Sequence, residues 1–240
     1  MADPRLRFDD ETARKKGARI SRMFDRIAPT YDLLNHALSL NVDKAWRKQA
    51  VAALHLTGAE RCLDACTGTG DLAMALVAGG ARDVTGSDFA PEMVERARVK
   101  APGVRFLVAD TTHLPFADAE FDVATVGFGV RNLEDLDAGL RELCRVLKPG
   151  GRLAVLEFSR PRNPVFRSIY LAYFMMVMPM IGNLVSGGAE NAYAYLPRSV
   201  MSFPGPDELS ARLRRAGFTT VEATPLTMGI AWLHVATKTP

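Results

Sequence analysis

From residue 61 to residue 158, apolar positions alternate between two patterns. Short apolar runs predict strands, and the segments between them carry apolar residues three and four apart, which is typical of amphipathic helices. Strands that alternate with helices indicate an α/β protein with a mostly parallel sheet. The predicted strands are 61–65, 83–88, 104–109, 121–126 and 152–158, and the predicted helices are 71–77, 91–99 and 133–147.

Helical segments are also predicted on both sides of this core. We expect residues 1–57 to form an N-terminal helical cap, with helices at 13–25 and 43–54 around a turn-rich stretch at 28–41. The segment 160–206 is too long for a simple connection and too apolar for a disordered one, which predicts a helical insertion or lid. One domain over residues 1–240 is the simplest organisation. The remaining predicted elements are a helix at 207–216 and a closing strand pair at 219–223 and 230–237.

Composition narrows the class of protein. An apolar fraction of 48% with 24% charged residues is typical of a globular chain, and a net charge of +3 does not require a nucleic-acid partner. Three cysteines, Cys62, Cys66 and Cys144, favour a reducing compartment, and we expect no metal site because Cys62 and Cys66 lack partner ligands. The charged N-terminus resembles no signal peptide, so we expect a cytoplasmic location.

An uncharged segment, 168–189, is long enough to span a membrane. Pro179, Gly182 and the Gly187-Gly188 pair interrupt it, so a buried or interfacial helix is the better interpretation. Its methionines suit either an adaptable apolar lid or gap-filling in a core, and the pattern leaves both open. They are Met175, Met176, Met178 and Met180.

A glycine loop, 66–70, joins the first predicted strand to the first helix. Gly68 and Gly70 allow a tight turn and a close approach to a ligand, and the free N–H groups of the following helix favour an anionic group. Asp88 ends the second strand, where doubly wound folds place the carboxylate that accepts hydrogen bonds from a ribose diol. Asp88 is also a candidate cap for the helix that starts at Pro91.

The third strand ends at Asp110, which is followed by Thr111. An adenine needs an acceptor for its amine and an apolar wall, which Asp110 with Phe116 or Phe89 would supply; alternatively, Asp110 only caps its loop. The dinucleotide-binding fingerprint has a third glycine, which corresponds to Ala73 here, and alanine is tolerated at that position. The fingerprint therefore does not distinguish a dinucleotide from another nucleotide cofactor. The chain has no second mononucleotide-binding half, which favours an S-adenosylmethionine site.

Several motifs carry a more specific resemblance. They are Met23-Phe24-Asp25, Tyr31-Asp32-Leu33-Leu34-Asn35, Gly68-Thr69-Gly70-Asp71, Phe128-Gly129-Val130-Arg131-Asn132, Leu156-Glu157-Phe158-Ser159 and Tyr195-Leu196-Pro197-Arg198-Ser199. With these motifs the chain resembles the menaquinone and ubiquinone biosynthesis C-methyltransferase family over nearly its whole length.

This resemblance implies a Rossmann-like class I methyltransferase fold, with a seven-stranded, mostly parallel sheet and an antiparallel last strand. It implies S-adenosylmethionine as methyl donor and a polyprenylated quinol as acceptor. The implied cofactor residues are Thr69 with the loop glycines Gly68 and Gly70, Asp88 at the ribose, and Asp110 with Thr111 near the adenine. The chain departs from the family pattern at Leu34, Asp43 and Gly127. Because glycine has no side chain, a side-chain contact that some family members make at position 127 is not expected here.

Methylation of a ring carbon needs an electron-rich ring, which a quinol becomes as it loses a hydroxyl proton. Arg131 and Asn132, just beyond the fourth strand, are the residues expected to stabilise the developing phenolate. The alternatives are that Arg131 is a surface residue and that Asn132 caps the next helix. Asp71 and Tyr31 are candidates for a base or relay, although Asp71 would also stabilise its helix terminus and Tyr31 would also pack.

The expected reaction is conversion of demethylmenaquinol to menaquinol. The alternative is C-methylation of 2-methoxy-6-polyprenyl-1,4-benzoquinol in ubiquinone biosynthesis, or of both quinols. Because the prenyl tail belongs in the bilayer, and because Arg160, Arg162 and Arg167 favour anionic headgroups, we expect reversible peripheral contact with the inner face of the membrane. A nicotinamide-dependent reductase and a cofactor-free membrane adaptor are rival classes.

Overall fold

The computed structural model describes residues 22–25, 28, 32, 39, 41–172 and 192–240. Residues 22–25 are helical, in agreement with the end of the helix predicted at 13–25. The rest of that helix, most of the stretch 28–41 including Tyr31, and residues 173–191 with their four methionines lie outside the described residues.

In the described part of the chain, seven strands form one sheet in the order β3-β2-β1-β4-β5-β7-β6. Neighbours from β3 through β5 pair in parallel, whereas β7 is antiparallel to both β5 and β6. The prediction of a mostly parallel sheet with an antiparallel last strand is therefore confirmed. The strands are β1 (Arg61–Ala65), β2 (Asp83–Asp88), β3 (Arg105–Val108), β4 (Phe121–Gly127), β5 (Leu147–Phe158), β6 (Phe218–Leu226) and β7 (Ala231–Lys238).

The helices cover the two faces of the sheet. They are α1 (Val42–Ala52), α2 (Asp71–Ala78), α3 (Pro91–Lys100), α4 (Leu136–Val146), α5 (Pro164–Ala172), α6 (Ala192–Ser202) and α7 (Pro206–Arg215). Leu72 and Leu76 of α2 pack with Val94 of α3 on one face, and Leu143 of α4 packs with Leu213 of α7 on the other. The two faces are built by alternate residues of the strands, as Cys62 and Leu63 of β1 show, which are buried in opposite clusters.

Helix α4 is shorter than the predicted 133–147. Asp135 is its N-cap and accepts a hydrogen bond from the Ala138 N–H at 2.9 Å. Asn132 instead ends a 3-10 turn, Val130–Asn132, so the interpretation of Asn132 as the cap is wrong. Because Asp135 caps the helix, the Asn132 side chain is available for another role.

The order of the strands places a topological switch point between β1 and β4. The chain runs outward from β1 to β3, then returns to β4 on the other side of β1. Loops that follow β1 and β4 therefore separate at the carboxyl edge of the sheet and leave a crevice, which is where open α/β sheets bind their ligands.

Candidate active site

The glycine loop lies between β1 and α2 and is held by the neighbouring strand. The Thr67 N–H donates to the Ser87 carbonyl at 2.9 Å, and the Thr67 hydroxyl donates to Asp64 at 2.6 Å. Gly68 and Gly70 have φ angles of 55° and 88°, in the left-handed region that favours glycine. A Cβ at Gly70 would lie 3.1 Å from the Phe106 ring, so this turn has room only for glycine.

Asp88 lies at the end of β2 and is buried beneath the loop. One carboxylate oxygen accepts from the Gly68 N–H at 2.8 Å and the other from the Ala90 N–H at 2.9 Å. Helix α3 has Ala90 at its N-cap position, without a side-chain cap, so the interpretation of Asp88 as that cap is wrong. Burial raises the pKa of Asp88 to about 6. A carboxylate has about four lone-pair sites, so Asp88 keeps acceptor capacity for a ribose hydroxyl.

A cleft opens above these residues, and it contains most of the predicted cofactor positions. Gly68, Asp88, Asp110 and Thr111 all line it. Including its open mouth, the cleft has an empty volume of about 660 Å³.

Of the two predicted adenine walls, only one lies in the cleft. Phe89 lines it beside Asp110. Phe116 packs instead in the core, edge-on to Phe121 at a ring distance of 4.9 Å, so that alternative is wrong. Asp110 also accepts from the Thr112 N–H at 2.8 Å, which agrees with the loop-capping interpretation and leaves its exposed carboxylate at the rim.

Thr69, a predicted cofactor residue, does not line this cleft. Its hydroxyl is bonded to Asp32 at 2.5 Å, and Asp32 forms an ion pair with Lys100 at 2.6 Å. Lys100 also pairs with Asp71, whose second oxygen lies 3.2 Å from Arg47. Asp71 therefore faces two cations, and these contacts connect residue 32 of the N-terminal segment to the glycine loop.

The floor of the cleft is formed where β4 ends. Phe128 lines it with a φ of 57°, a left-handed conformation that is uncommon for a residue with a bulky side chain. Its ring stacks on Phe158 at 4.5 Å and lies 6.1 Å from Trp46. The packing of this aromatic cluster holds Phe128 in its costly backbone conformation.

Arg131 is buried rather than exposed to the cleft. Its guanidinium pairs with Glu157 at 2.6 Å and lies 5.6 Å from the centre of the Phe158 ring. The side chains of Arg131 and Glu157 are only 6% and 2% exposed. The alternative that Arg131 is a surface residue is therefore wrong.

Asn132, by contrast, lines the cleft. Its side-chain oxygen accepts a hydrogen bond from the Tyr195 hydroxyl at 3.1 Å. The sequence pattern predicted no site role for Tyr195 or Glu157. A glutamate within the apolar run of β5 was a signal, because such a residue is almost never buried without a partner. Nothing local in the sequence indicated the partner of Tyr195.

Comparison with known proteins decides the family. Residues 12–238 match the model of the ubiE/COQ5 methyltransferase family. The chain belongs to this family. S-adenosylmethionine is therefore its cofactor, and the donors and acceptors of the cleft suit it: Asp88 for the ribose hydroxyls, Phe89 for the flat adenine, and backbone N–H groups of the glycine loop for the carboxylate.

Members of the ubiE/COQ5 family with similar sequences carry two kinds of name. The chain is 49% identical to the demethylmenaquinone methyltransferase of Thermus thermophilus, over 90% of this chain and 100% of that protein. It is 46% identical to the demethylmenaquinone methyltransferase of Deinococcus radiodurans, over 93% and 94% of the two chains. It is also 46% identical to the ubiquinone/menaquinone biosynthesis C-methyltransferase of Geobacter sp. strain M21, over 93% and 98%.

Solved structures support the fold of this family member. A SAM-dependent methyltransferase from Thermotoga maritima superposes with a TM-score of 0.65 at 22% identity, over 90% of this chain and 99% of that one. The [4+2]-cyclase SpnF superposes with a TM-score of 0.66 at 19% identity, over 93% and 97%. Since a cyclase shares the fold, the fold alone does not determine the reaction.

Binding of S-adenosylhomocysteine, the demethylated cofactor, is expected to weaken as the pH falls through about 6. The sequence predicts that Asp88 accepts hydrogen bonds from the ribose, which it would do at both hydroxyls only as a carboxylate, and burial raises its pKa to about 6. Below that pH the affinity should fall by up to about tenfold per pH unit. Titration calorimetry between pH 8 and pH 5 measures this, and a constant affinity over that range would contradict the assignment of Asp88.

A second buried carboxylate, Asp64, would titrate in the same pH range, since burial also raises its pKa to about 6. The Asp88→Asn variant distinguishes the two groups: if Asp88 causes the pH dependence of binding, this variant should bind weakly at every pH and show no such dependence.

The same titration affects the stability of the fold, but in the opposite direction. The pKa of Asp88 in the folded protein exceeds its ordinary value of 3.8. Its contribution to stability is therefore greatest at low pH and is lost as the pH rises through about 6.

Proposed function

We propose that this enzyme methylates a ring carbon of a polyprenylated quinol, with demethylmenaquinol as its principal substrate. The observation that carries the proposal is the 49% identity to a demethylmenaquinone methyltransferase over the full length of that relative. The benzoquinol alternative is supported by the relative named for both ubiquinone and menaquinone biosynthesis. The cleft is consistent with either quinol, because both carry ring hydroxyls and Asn132 on the cleft wall is a neutral hydrogen-bonding group.

When bound, S-adenosylmethionine supplies an electrophilic methyl group on a sulfonium. Transfer of this methyl group to the quinol ring would leave S-adenosylhomocysteine, and a base would take up the proton that the ring carbon loses. Asn132 donates to the quinol oxygen as negative charge develops there. Arg131 takes part only indirectly, because its guanidinium is buried against Glu157 and does not line the cleft. Asp71 and Tyr31 stay candidates for the base or relay, and Asp71 is held in place by ion pairs with Lys100 and Arg47.

Side-by-side assays test the proposed substrate. Purified enzyme with methyl-labelled cofactor is offered a short-tailed demethylnaphthoquinol, the matching methoxybenzoquinol and each oxidised quinone, under anaerobic reducing conditions for the quinols. We expect rapid transfer to the naphthoquinol and none to the quinones, because a quinone ring is electron-poor. Transfer only to the benzoquinol would reverse the order of the two substrates. Tight binding of S-adenosylhomocysteine without transfer to any quinol would reject the proposed function.

Reversible membrane contact is part of this proposal. In the described part of the chain, no helix has both the length and the apolar character needed to cross a bilayer. Helix α5 presents Val165, which is 70% exposed, close in sequence to the exposed Arg162 and Arg167. An apolar side chain among basic ones is suited to an anionic interface.

Vesicle sedimentation tests this contact. Vesicles with anionic lipid should sediment the wild-type enzyme and should release a Met175→Gln/Met178→Gln variant, since polar side chains lose the gain from apolar burial. The control is Val99→Gln, which removes an 84% exposed apolar side chain from α3, away from the insertion, and should sediment like the wild type. Equal sedimentation of all three proteins would reject a membrane role for the methionines.

A further inference from the structure

Helix α6 of the insertion brings a polar side chain into contact with Asn132, a residue that lines the cofactor cleft. Tyr195 lies near its start, and α6 packs against the 3-10 turn 130–132 that follows β4. The Tyr195 hydroxyl donates to Oδ1 of Asn132 at 3.1 Å, across 63 residues of sequence. The insertion and the catalytic core are thus joined by a hydrogen bond at the wall of the cleft.

This hydrogen bond determines which end of the Asn132 amide is available to a ligand. The backbone of Asn132 is held separately, because its N–H donates to the Gly129 carbonyl at 2.9 Å. With Oδ1 occupied by Tyr195, the Nδ2 group has no hydrogen-bond partner among residues 41–172 and 192–240 or the few others described. Asn132 therefore keeps two N–H donors for whatever enters the cleft.

The surroundings keep Tyr195 in the donor role. Its phenol is largely buried and lies near the ion pair of Arg131 with Glu157, whose charges act on it in opposite directions. Burial is the dominant effect and raises the pKa of Tyr195 above its usual value of 10. The hydroxyl consequently holds its proton through the neutral range and continues to donate to Asn132.

We propose that Tyr195 is a positioning residue for methyl transfer, which turns the amide N–H groups of Asn132 toward the oxygen of the acceptor ring. The inference rests on the proposed function, because it requires an acceptor whose oxygen gains negative charge. A donor aimed at such an oxygen is worth about 10²- to 10³-fold in rate when it is removed outright. Loss of the group that only orients it should cost less.

The Tyr195→Phe variant tests the inference in two backgrounds. In the wild-type background we expect kcat to fall by roughly tenfold, with the affinity for S-adenosylhomocysteine unchanged within about twofold. In an Asn132→Ala background the same substitution should change kcat by less than about twofold, because the group that Tyr195 orients is gone. The control is Tyr170→Phe, which removes a hydroxyl from α5 of the same insertion and should leave kcat unchanged.

Three outcomes would count against the inference in different ways. An unchanged kcat in Tyr195→Phe, with an active wild type, overturns it alone. An equal loss in the Asn132→Ala background also overturns it, since Tyr195 would then act only by holding the insertion in place. A wild type that binds S-adenosylhomocysteine but methylates no quinol rejects the proposed function itself, and the inference with it.

Discussion

Replacing Asp88 by asparagine is expected to weaken the binding of S-adenosylhomocysteine by roughly 100-fold. If Asp88 holds the ribose as predicted, the substitution replaces its charge-assisted hydrogen bonds to the ribose with a neutral bond, a loss of about 2–3 kcal/mol. The asparagine also has a single oxygen for the two N–H groups of Gly68 and Ala90 that Asp88 now accepts. The loop is then less well ordered, which acts in the same direction. Titration calorimetry at pH 8 measures the affinity.

The matched control lies on the same strand. Asp83 begins β2 at the opposite edge of the sheet, where it forms an exposed ion pair with Arg61. Asp83→Asn should leave the affinity for S-adenosylhomocysteine unchanged, because exposed pairs contribute little and this one lies far from the cleft. An Asp88→Asn variant that melts cooperatively and binds within about threefold of the wild type would show that Asp88 does not hold the ribose.

Replacing Glu157 by glutamine is expected to lower the free energy of unfolding by about 3–5 kcal/mol. The substitution leaves the Arg131 guanidinium buried without its counter-charge. The lost carboxylate also accepts from the backbone N–H groups of Arg131 and Phe158, at 3.3 and 2.9 Å. Urea denaturation at pH 8 measures the change through the midpoint and slope of unfolding.

Two further variants determine the cause of that loss. Asp207→Asn removes one partner of the exposed pair with Arg162 and should cost less than about 1 kcal/mol. The double variant Arg131→Met/Glu157→Gln should be more stable than Glu157→Gln alone, because no unpaired charge is left in the interior. If the double variant were less stable than the single one, the buried charge would not be the source of the loss.

The sequence was most informative where local pattern determines structure. Strand bounds at 61–65 and 83–88 match the structure because each segment is followed by a clear stop, the glycine loop 66–70 after β1 and the helix that begins at Pro91 after β2. The position of β7 between β5 and β6 was harder to predict from the sequence, because a strand that inserts antiparallel into a parallel sheet pairs with residues far away along the chain. At the start of α4, Asn132 and Asp135 are both good capping residues, and propensity alone does not choose between them.

The site was predicted in the same uneven way. Gly68 and Asp88 were predicted because parallel strands bring the loop after one strand and the residue at the end of the next to the same edge of the sheet. The burial of Arg131 was not found, because its partner Glu157 follows 26 residues later on another strand. Tyr195 was missed for the same reason, since its contact with Asn132 depends on how the insertion folds back.

The left-handed backbone of Phe128 has a consequence for engineering. Glycine would adopt its φ of 57° without steric cost, so Phe128→Gly relieves backbone strain of about 1 kcal/mol. The same substitution removes a buried ring that stacks on Phe158, which costs about 3–5 kcal/mol. Directed evolution for heat resistance should therefore retain the ring at position 128 in spite of its strained backbone.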